Sequence, residues 1–336
     1  MTKRWGQILL AIILGAVVPA IIFTLWSRTN IPENLQYTEP EATSSETRND
    51  EDDSSQSMQP VETKTMIPVL FDDKTIKSID LDIYLTSVVL NEMPSDFEID
   101  ALKAQAVVSR TYTLFKMLQH KHGDAAVCTD ANCCQGYCTK EVFLEFGGTE
   151  SAFDRIENAV KETNNLVLTY DGDLIEATYF SCSGGWTEDA KAVWGTDVPY
   201  LQATESPGEE NATHYMDTVT FTASEFATLL GESLDGPSEG WLGNITYTAG
   251  GGVETMSICG KTYSGTELRR LLNLRSTAFV LTAIGDTITV TTKGYGHRVG
   301  MSQYGADAMA VAGSDFEEIL SHYYKGTELE HYTLTD

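Results

Sequence analysis

The chain has 336 residues, of which 42% are apolar and 10% aromatic, so it can bury the core of one large domain or of two lobes. Its formal net charge of −27 excludes non-specific binding to nucleic acid, because the phosphates would repel it. We therefore expect no nucleic-acid partner.

A membrane anchor is predicted near the N-terminus. Residues 6–26, GQILLAIILGAVVPAIIFTLW, form an uncharged apolar run of membrane-spanning length. Lys3 and Arg4 precede it, so the positive-inside rule places residues 1–5 in the cytoplasm and the rest of the chain outside. A cleavable signal peptide is the alternative, but the run is long for one and no A-x-A-like cleavage site follows. We predict a retained single-pass anchor.

Residues 27–64 are predicted to be a linker. This segment has few apolar residues and is rich in Glu, Asp, Ser and Thr, with the acidic run NDEDDSS at 49–55. Such a composition cannot bury surface and repels itself, so we predict a disordered tether, with an acidic interaction tail as the alternative. The folded domain should span residues 65–336.

A first helix is predicted to begin at Leu81 and to end before Pro94. Asp80 is placed to cap it, and a residue that precedes proline is pushed out of the α region. Glu92 therefore lies at the C-terminal end of an apolar helix, where the macrodipole disfavours an anion. A capping or ion-paired glutamate is the alternative reading of Glu92.

A second helix follows, with Ser95 and Glu98 as a predicted capping box. From Asp100 to Leu118 it is apolar around much of its circumference, which predicts a buried central helix. Lys103 and Arg110 are seven residues apart and share one face of it.

The remaining elements alternate between strands and helices without βαβ regularity, so the predicted fold class is α+β. Strands are predicted at 66–70, 75–79, 245–248, 253–258, 279–284 and 287–292, a hairpin at 166–170 and 174–181, and helices at 151–162, 222–230, 266–272 and 316–323.

Two glycine-rich segments are candidates for ligand contact. SCSGGWTEDA at 181–190 is either a loop that needs positive φ at Gly184 or Gly185, or a loop that approaches a ligand with its hydroxyl groups. GYGHRVGMSQYGA at 294–306 contains His297, and a phosphate-loop interpretation of it is weak because no lysine follows.

A cysteine-rich insert after the second helix contains His122, Cys128, Cys133 and Cys134. Four thiol or imidazole groups within so short a segment suit tetrahedral zinc, although the spacing is not that of a zinc finger. Disulfide bonding is the alternative in an extracytoplasmic chain. Cys138 is a candidate for a fourth ligand or for a disulfide partner.

Four motifs in this order resemble the stage II sporulation protein D family: NEMP, ALKAQAVVSRTY, SCSGGWTEDA and GYGHRVGMSQYGA. The resemblance covers roughly residues 65–330. It implies two lobes around a substrate cleft. It also implies a lytic transglycosylase that cleaves between N-acetylmuramic acid and N-acetylglucosamine in peptidoglycan strands stripped of stem peptides, during engulfment in sporulation.

The resemblance also assigns residues. Glu92 becomes the catalytic acid, and the implied substrate-binding residues are Lys103, Arg110, Ser181, Ser183, Gly184, Gly185, Thr187, Tyr200, His297, Ser302 and Gln303. Some clostridial members place two His and two Cys where this chain has the insert, with Cys133 at the position of the second His. The implied cofactor is a structural Zn²⁺ ion bound by His122, Cys128, Cys133 and Cys134.

The implied partners are a septal peptidoglycan amidase and a membrane scaffold of the engulfment machinery, at the mother-cell membrane that faces the septum. The main alternative is a non-catalytic glycan-binding scaffold that positions the amidase. A metallopeptidase or amidase using the Cys/His cluster is less favoured, because four protein ligands leave no open position for water.

Overall fold

The computed structural model describes residues 64–333, which belong to a single compact unit. The predicted anchor and all but the last residue of the predicted linker lie outside the described residues. Between residues 64 and 333, no helix is long and apolar enough to span a membrane.

The chain enters through a hairpin and two helices, close to the prediction. Strands β1 (Met66–Leu70) and β2 (Ile76–Asp80) pair antiparallel and lead into helix α1 (Leu81–Glu92). The Asp80 carboxylate accepts hydrogen bonds from the first backbone N–H groups of α1, which confirms the predicted N-cap. Helix α2 (Ile99–Leu118) follows.

The predicted capping box at the start of α2 is wrong. Glu98, not Ser95, is the N-cap residue, and its side chain makes no capping hydrogen bond. The Glu98 N–H instead donates to the Asp307 carboxylate at 2.7 Å. A carboxylate from a distant helix thus takes the place of the local cap.

The next elements complete a first hydrophobic core around α2, which is buried along most of its length as predicted. In chain order they are β3 (Val127–Cys128), α3 (Lys140–Glu145), α4 (Glu150–Glu162), β4 (Leu166–Tyr170), β5 (Asp173–Leu174), β6 (Tyr179–Phe180) and α5 (Ala190–Trp194). The C-terminal elements return to the same core: β13 (Met301–Ser302), α8 (Gln303–Val311), α9 (Phe316–Tyr323) and β14 (Glu328–His331).

A second hydrophobic core is built from the segment between these two groups. Its elements are β7 (Met216–Thr222), α6 (Ala223–Leu230), β8 (Leu242–Tyr247), β9 (Val253–Ile258), β10 (Lys261–Ser264), α7 (Gly265–Leu271), β11 (Ala278–Ile284) and β12 (Thr287–Lys293). They form two three-stranded sheets, ordered β10-β9-β8 and β11-β12-β7. The small sheets and separate helices confirm the α+β class.

The predicted hairpin of residues 166–181 is only partly correct. β4 and β5 do pair around Asp171 and Gly172, but the chain leaves the sheet after Leu174. β6 then pairs in parallel with β13, so that Tyr179 lies beside Met301 and Phe180 beside Ser302. This long-range pairing places the residues just before the first glycine-rich segment beside the second one.

Candidate active site and cysteine-histidine cluster

Glu92 is the last residue of α1 and its side chain is partly buried. Its Oε1 accepts a hydrogen bond of 2.7 Å from the backbone N–H of Gly136. Burial raises the pKa of Glu92, and the hydrogen bond from the Gly136 N–H, together with the polar side chains of Tyr179 and Gln303, opposes that rise without cancelling it. The pKa of this carboxyl group therefore lies above the usual glutamate range, as a general acid requires.

The pairing of β6 with β13 brings Tyr179 and Gln303 to this carboxyl group. Tyr179 belongs to β6, and Gln303 begins α8 directly after β13. Ser302 caps α8 by accepting a hydrogen bond from the Gly305 N–H, which fixes the start of the helix. Glu92 of the NEMP motif, Tyr179 of β6 and Gln303 of the second glycine-rich segment thus meet at one point.

The cysteine-rich insert supplies two more groups that the sequence did not single out. Gln135 is buried, and its Oε1 accepts from the Tyr179 hydroxyl at 3.1 Å while its Nε2 donates to Thr113 Oγ1 at 2.9 Å. Gly136 follows, and a Cβ atom there would lie 2.9 Å from Glu92 Oε1. The signal that could have identified Gly136 was a glycine immediately after the candidate metal ligands.

His297 lies beside this group in an aromatic setting. Its ring centroid is 5.7 Å from that of Phe180 and 5.3 Å from that of Trp194. The Val299 N–H donates to His297 Nδ1, so Nε2 carries the proton of the neutral ring. Burial and then the charge of Arg269 lower the pKa of His297 to about 4, so the imidazole is neutral near pH 7.

Several predicted substrate contacts are instead buried in contacts within the protein. Ser183 is fully buried, and its N–H and hydroxyl both donate to the buried Glu209 carboxylate, which also accepts from the Gly184 N–H. The Thr187 hydroxyl accepts from the Thr204 N–H. These groups shape the loop, and the structure leaves them no free hydrogen bond for a glycan.

The positive-φ interpretation of the same loop is confirmed, since φ is +74° at Gly184 and +114° at Gly185.

The Ser181 hydroxyl differs from its neighbours. It is partly exposed and makes no hydrogen bond to any residue between 64 and 333, so it remains available to a ligand. Tyr200 is half-buried, and its hydroxyl accepts from the Glu176 N–H.

Lys103 and Arg110 hold helices together. Lys103 pairs with Glu162 at 2.6 Å. Arg110 is 1% exposed and donates to the Val160 and Thr163 carbonyl groups, at the C-terminal end of α4, as well as to Asp82. A cation at a helix C-terminus also stabilises the macrodipole, so the structure gives Arg110 a structural role in place of the predicted substrate contact.

The four predicted metal ligands do come together. The ligand atoms of His122, Cys128, Cys133 and Cys134 all lie within 4.8 Å of one another, with His122 Nε2 3.1 Å from Cys134 Sγ. Bond lengths of tetrahedral zinc place ligand atoms about 3.5–3.8 Å apart, so this donor set fits the ion after small shifts of the side chains, some closer together and the His122–Cys134 pair farther apart. All six cysteines are free of disulfide bonds, and the Cys138 thiol donates to the Thr139 carbonyl group, outside the cluster.

Comparisons with known proteins identify relatives of this chain. Residues 72–170 match the family model described as "Stage II sporulation protein". The chain is 41% identical over 263 residues to "Stage II sporulation protein D" of Bacillus subtilis (strain 168), covering 76% of each chain.

Two further relatives extend the likeness. The chain is 39% identical to "Stage II sporulation protein D" of Bacillus amyloliquefaciens over 76% of this chain and 75% of that one. It is 29% identical to "Amidase enhancer" of Bacillus subtilis (strain 168), over 74% of this chain and 40% of that one. Because the chain is 41% and 39% identical to the two stage II sporulation D proteins over about three quarters of each chain, it belongs to the stage II sporulation protein D family.

Proposed function

We propose that this protein is a lytic transglycosylase acting in sporulation. Its substrate would be peptidoglycan strands stripped of stem peptides, cut between N-acetylmuramic acid and N-acetylglucosamine to leave 1,6-anhydro ends. The observation that carries this proposal is the partly buried Glu92 carboxyl group, which has a raised pKa and lies against Gly136, Tyr179 and Gln303. A carboxyl group that keeps its proton nearer to neutral pH can protonate a glycosidic oxygen.

The environment of Glu92 favours a mechanism with one carboxyl group. In a retaining glycosidase a second carboxylate lies about 5 Å away, and the two raise each other's pKa. The pKa of Glu92 is set by burial, by the Gly136 N–H and by the polar side chains of Tyr179 and Gln303, and no second carboxylate within residues 64–333 contributes to it.

In this mechanism the substrate supplies its own nucleophile. Glu92 protonates the glycosidic oxygen as the bond to the muramoyl C1 breaks. The muramoyl C6 hydroxyl then attacks C1, Glu92 takes up the hydroxyl proton, and the 1,6-anhydro ring closes. Because the nucleophile is part of the same sugar, ring closure gains from intramolecular proximity and needs no bound water.

Mass spectrometry of the products tests the proposal. Stripped glycan is incubated with the full chain, and released sugars are examined for the mass of 1,6-anhydro ends, which is one water lower than that of reducing ends. Reducing ends would indicate a hydrolase instead. Glycan that binds but is not cut would favour the scaffold alternative.

A non-catalytic scaffold that positions an amidase is the second candidate. The relative named "Amidase enhancer" favours it. Under either function we propose the partners of the family resemblance, a septal amidase and a membrane scaffold. We also propose a single-pass anchor that holds the folded part outside the mother-cell membrane. The two hydrophobic cores support the proposed two lobes around a substrate cleft.

Exposed aromatic rings near His297 suit a carbohydrate ligand. Trp194 is 45% exposed while its ring packs against His297, and Tyr295 in the same motif is 44% exposed. Aromatic faces that stay in water at a candidate site offer apolar area to the C–H face of a sugar ring.

We expect Trp194→Ala to raise KM for glycan by about tenfold and to leave kcat within a few-fold, because a stacking contact binds ground and transition states alike. Steady-state kinetics on stripped glycan measures both constants. Val311→Ala, an exposed apolar position outside the site, serves as the control. A fall in kcat at unchanged KM would contradict a stacking role for Trp194.

The Cys/His cluster fits a structural zinc ion bound by His122, Cys128, Cys133 and Cys134. Such an ion would cross-link the insert and take no part in the reaction, since four protein ligands close its coordination sphere. The closed sphere also argues against a metallopeptidase.

We expect protein purified without chelator to contain about one zinc ion per chain, and slow extraction by a chelator to lower Tm, because metal binding in such sites is coupled to folding. Elemental analysis and thiol titration measure the metal and the free thiols. Protein without zinc, whose thiols react only after reduction, would replace the metal site with disulfides.

A further inference from the structure

Arg269 is a partly buried cation without an acidic partner. It lies in the last turn of α7, and its Nε donates a long hydrogen bond of 3.4 Å to the Leu274 carbonyl group. No carboxylate within residues 64–333 forms an ion pair with it, whereas Arg275 and Arg298 each have one. The Arg269 side chain is partly buried, so its charge has lost part of its hydration, and this burial lowers the pKa of the guanidinium.

The backbone connects Arg269 to the segment that carries His297. The chain after α7 reaches Arg275, whose carbonyl group accepts a hydrogen bond of 3.0 Å from the Gly296 N–H. The Arg275 guanidinium lies 5.6 Å from the centroid of the Tyr295 ring. The charge of Arg269 is also close enough to His297 to lower the pKa of that imidazole.

The Arg275 guanidinium already has partners within the protein. It forms an ion pair of 3.0 Å with Asp217 and contacts His214 Nδ1 at 2.7 Å. Arg269 contacts the Leu274 carbonyl group, one residue before the Arg275 carbonyl that binds Gly296, so it lies near the His297 segment and keeps donor groups for an incoming ligand. Partial burial of a charge is unfavourable unless an opposite charge or hydrogen bonds compensate it, so this position favours an anion.

We propose that Arg269 binds the carboxylate of the lactyl group on N-acetylmuramic acid and so makes the site selective for stripped glycan. This inference rests on the proposed function. In intact peptidoglycan the lactyl carboxyl group is an uncharged amide to the stem peptide. Amidase hydrolysis exposes it as a carboxylate, which a guanidinium recognises with charge-assisted, bidentate hydrogen bonds.

The overall charge of the chain adds a reason for a local cation. A chain of net charge −27 repels a stripped glycan strand, which carries one carboxylate on each muramoyl residue. A single guanidinium at the site offsets this repulsion for the muramoyl residue that is bound there. It gives no advantage to a strand whose lactyl groups still carry peptides.

Equilibrium binding tests the inference directly. The full chain in detergent carries Glu92→Gln so that bound sugars are not cut. Three tetrasaccharides are titrated calorimetrically: alternating GlcNAc–MurNAc with free lactyl carboxylates, the same sugar with each carboxylate converted to a methylamide, and neutral chitotetraose.

We expect the carboxylate form to bind about tenfold or more tightly than the methylamide, which is the scale of one charge-assisted hydrogen bond. Arg269→Gln should remove this preference and leave affinity for chitotetraose unchanged, which also shows that the variant is folded. The neighbouring and exposed Arg270 is the matched control, since Arg270→Gln removes the same charge from the same helix and should keep the preference.

A preference that survives Arg269→Gln, or a parent chain that never shows one, would overturn the role of Arg269 while leaving the proposed function intact. If the parent binds none of the three sugars and the chain with Glu92 releases no anhydro ends, the proposed function fails and the inference fails with it.

Discussion

Replacing Glu92 by Gln should lower the rate of release of 1,6-anhydro ends by about 10²–10⁴-fold, because an amide cannot give a proton to the glycosidic oxygen. Glutamine keeps the shape of the side chain and can still accept the hydrogen bond from the Gly136 N–H. Binding of chitotetraose should therefore stay within a few-fold of the parent. Product mass spectrometry and calorimetry measure the two effects separately.

Stability should move in the opposite direction to activity. The pKa of Glu92 is raised in the folded state, so the ionised form is disfavoured there and stability is lost as the pH rises through that pKa. Glu92→Gln removes this loss, and its free energy of unfolding should be equal to or above that of the parent at neutral pH. An unstable Gln variant, or one that still releases anhydro ends at the parent rate, would contradict the assignment.

The pH dependence of the parent should follow the same carboxyl group. A general acid works while it is protonated, so kcat should fall as the pH rises through the raised pKa of Glu92 and not already in the usual glutamate range. This limb should be absent from any residual activity of Glu92→Gln. His297, with its pKa lowered to about 4, should contribute no limb near neutral pH.

The sequence predicted those parts of the site that local rules determine. The apolar period from Leu81, the Asp80 cap and Pro94 place Glu92 at a helix end without any tertiary information. The thiol and imidazole groups lie within one short insert, so their proximity along the chain indicated a cluster, while the resemblance chose the four ligands.

The parts of the site that the sequence did not predict depend on contacts between distant segments. Glu92 and Gly136 are 44 positions apart, and no periodicity links them. Arg110 was correctly placed on the face of α2 that carries Lys103, but helical spacing cannot show that the carbonyl groups ending α4 would enclose its guanidinium. The Ser95 cap failed for the same reason, since Asp307 comes from the far end of the chain.

Gly136 provides the second test, because it joins the Cys/His cluster to the acid. It follows Cys134 by two residues, and its N–H holds Glu92 Oε1 at 2.7 Å. A Cβ atom at Gly136 would lie 1.8 Å from Asn91 Nδ2 as well as 2.9 Å from the Glu92 carboxyl oxygen. Asn91 is exposed and can swing into water, so the Glu92 carboxyl group is the part of the site that must move.

Gly136→Ala should therefore lower kcat by about 10²-fold, the scale expected when a catalytic group is displaced by about 1 Å, while KM changes little. The Gly136 N–H lowers the pKa of Glu92, so weakening this hydrogen bond should also move the falling limb of kcat to higher pH. Gly240→Ala is the control, because a Cβ atom there meets nothing within 4 Å. Profiles of kcat against pH for both variants, with zinc content measured in parallel, test whether Gly136 positions Glu92. If Gly136→Ala keeps its zinc and its kcat, or loses kcat with an unmoved pH limb, the insert does not position Glu92.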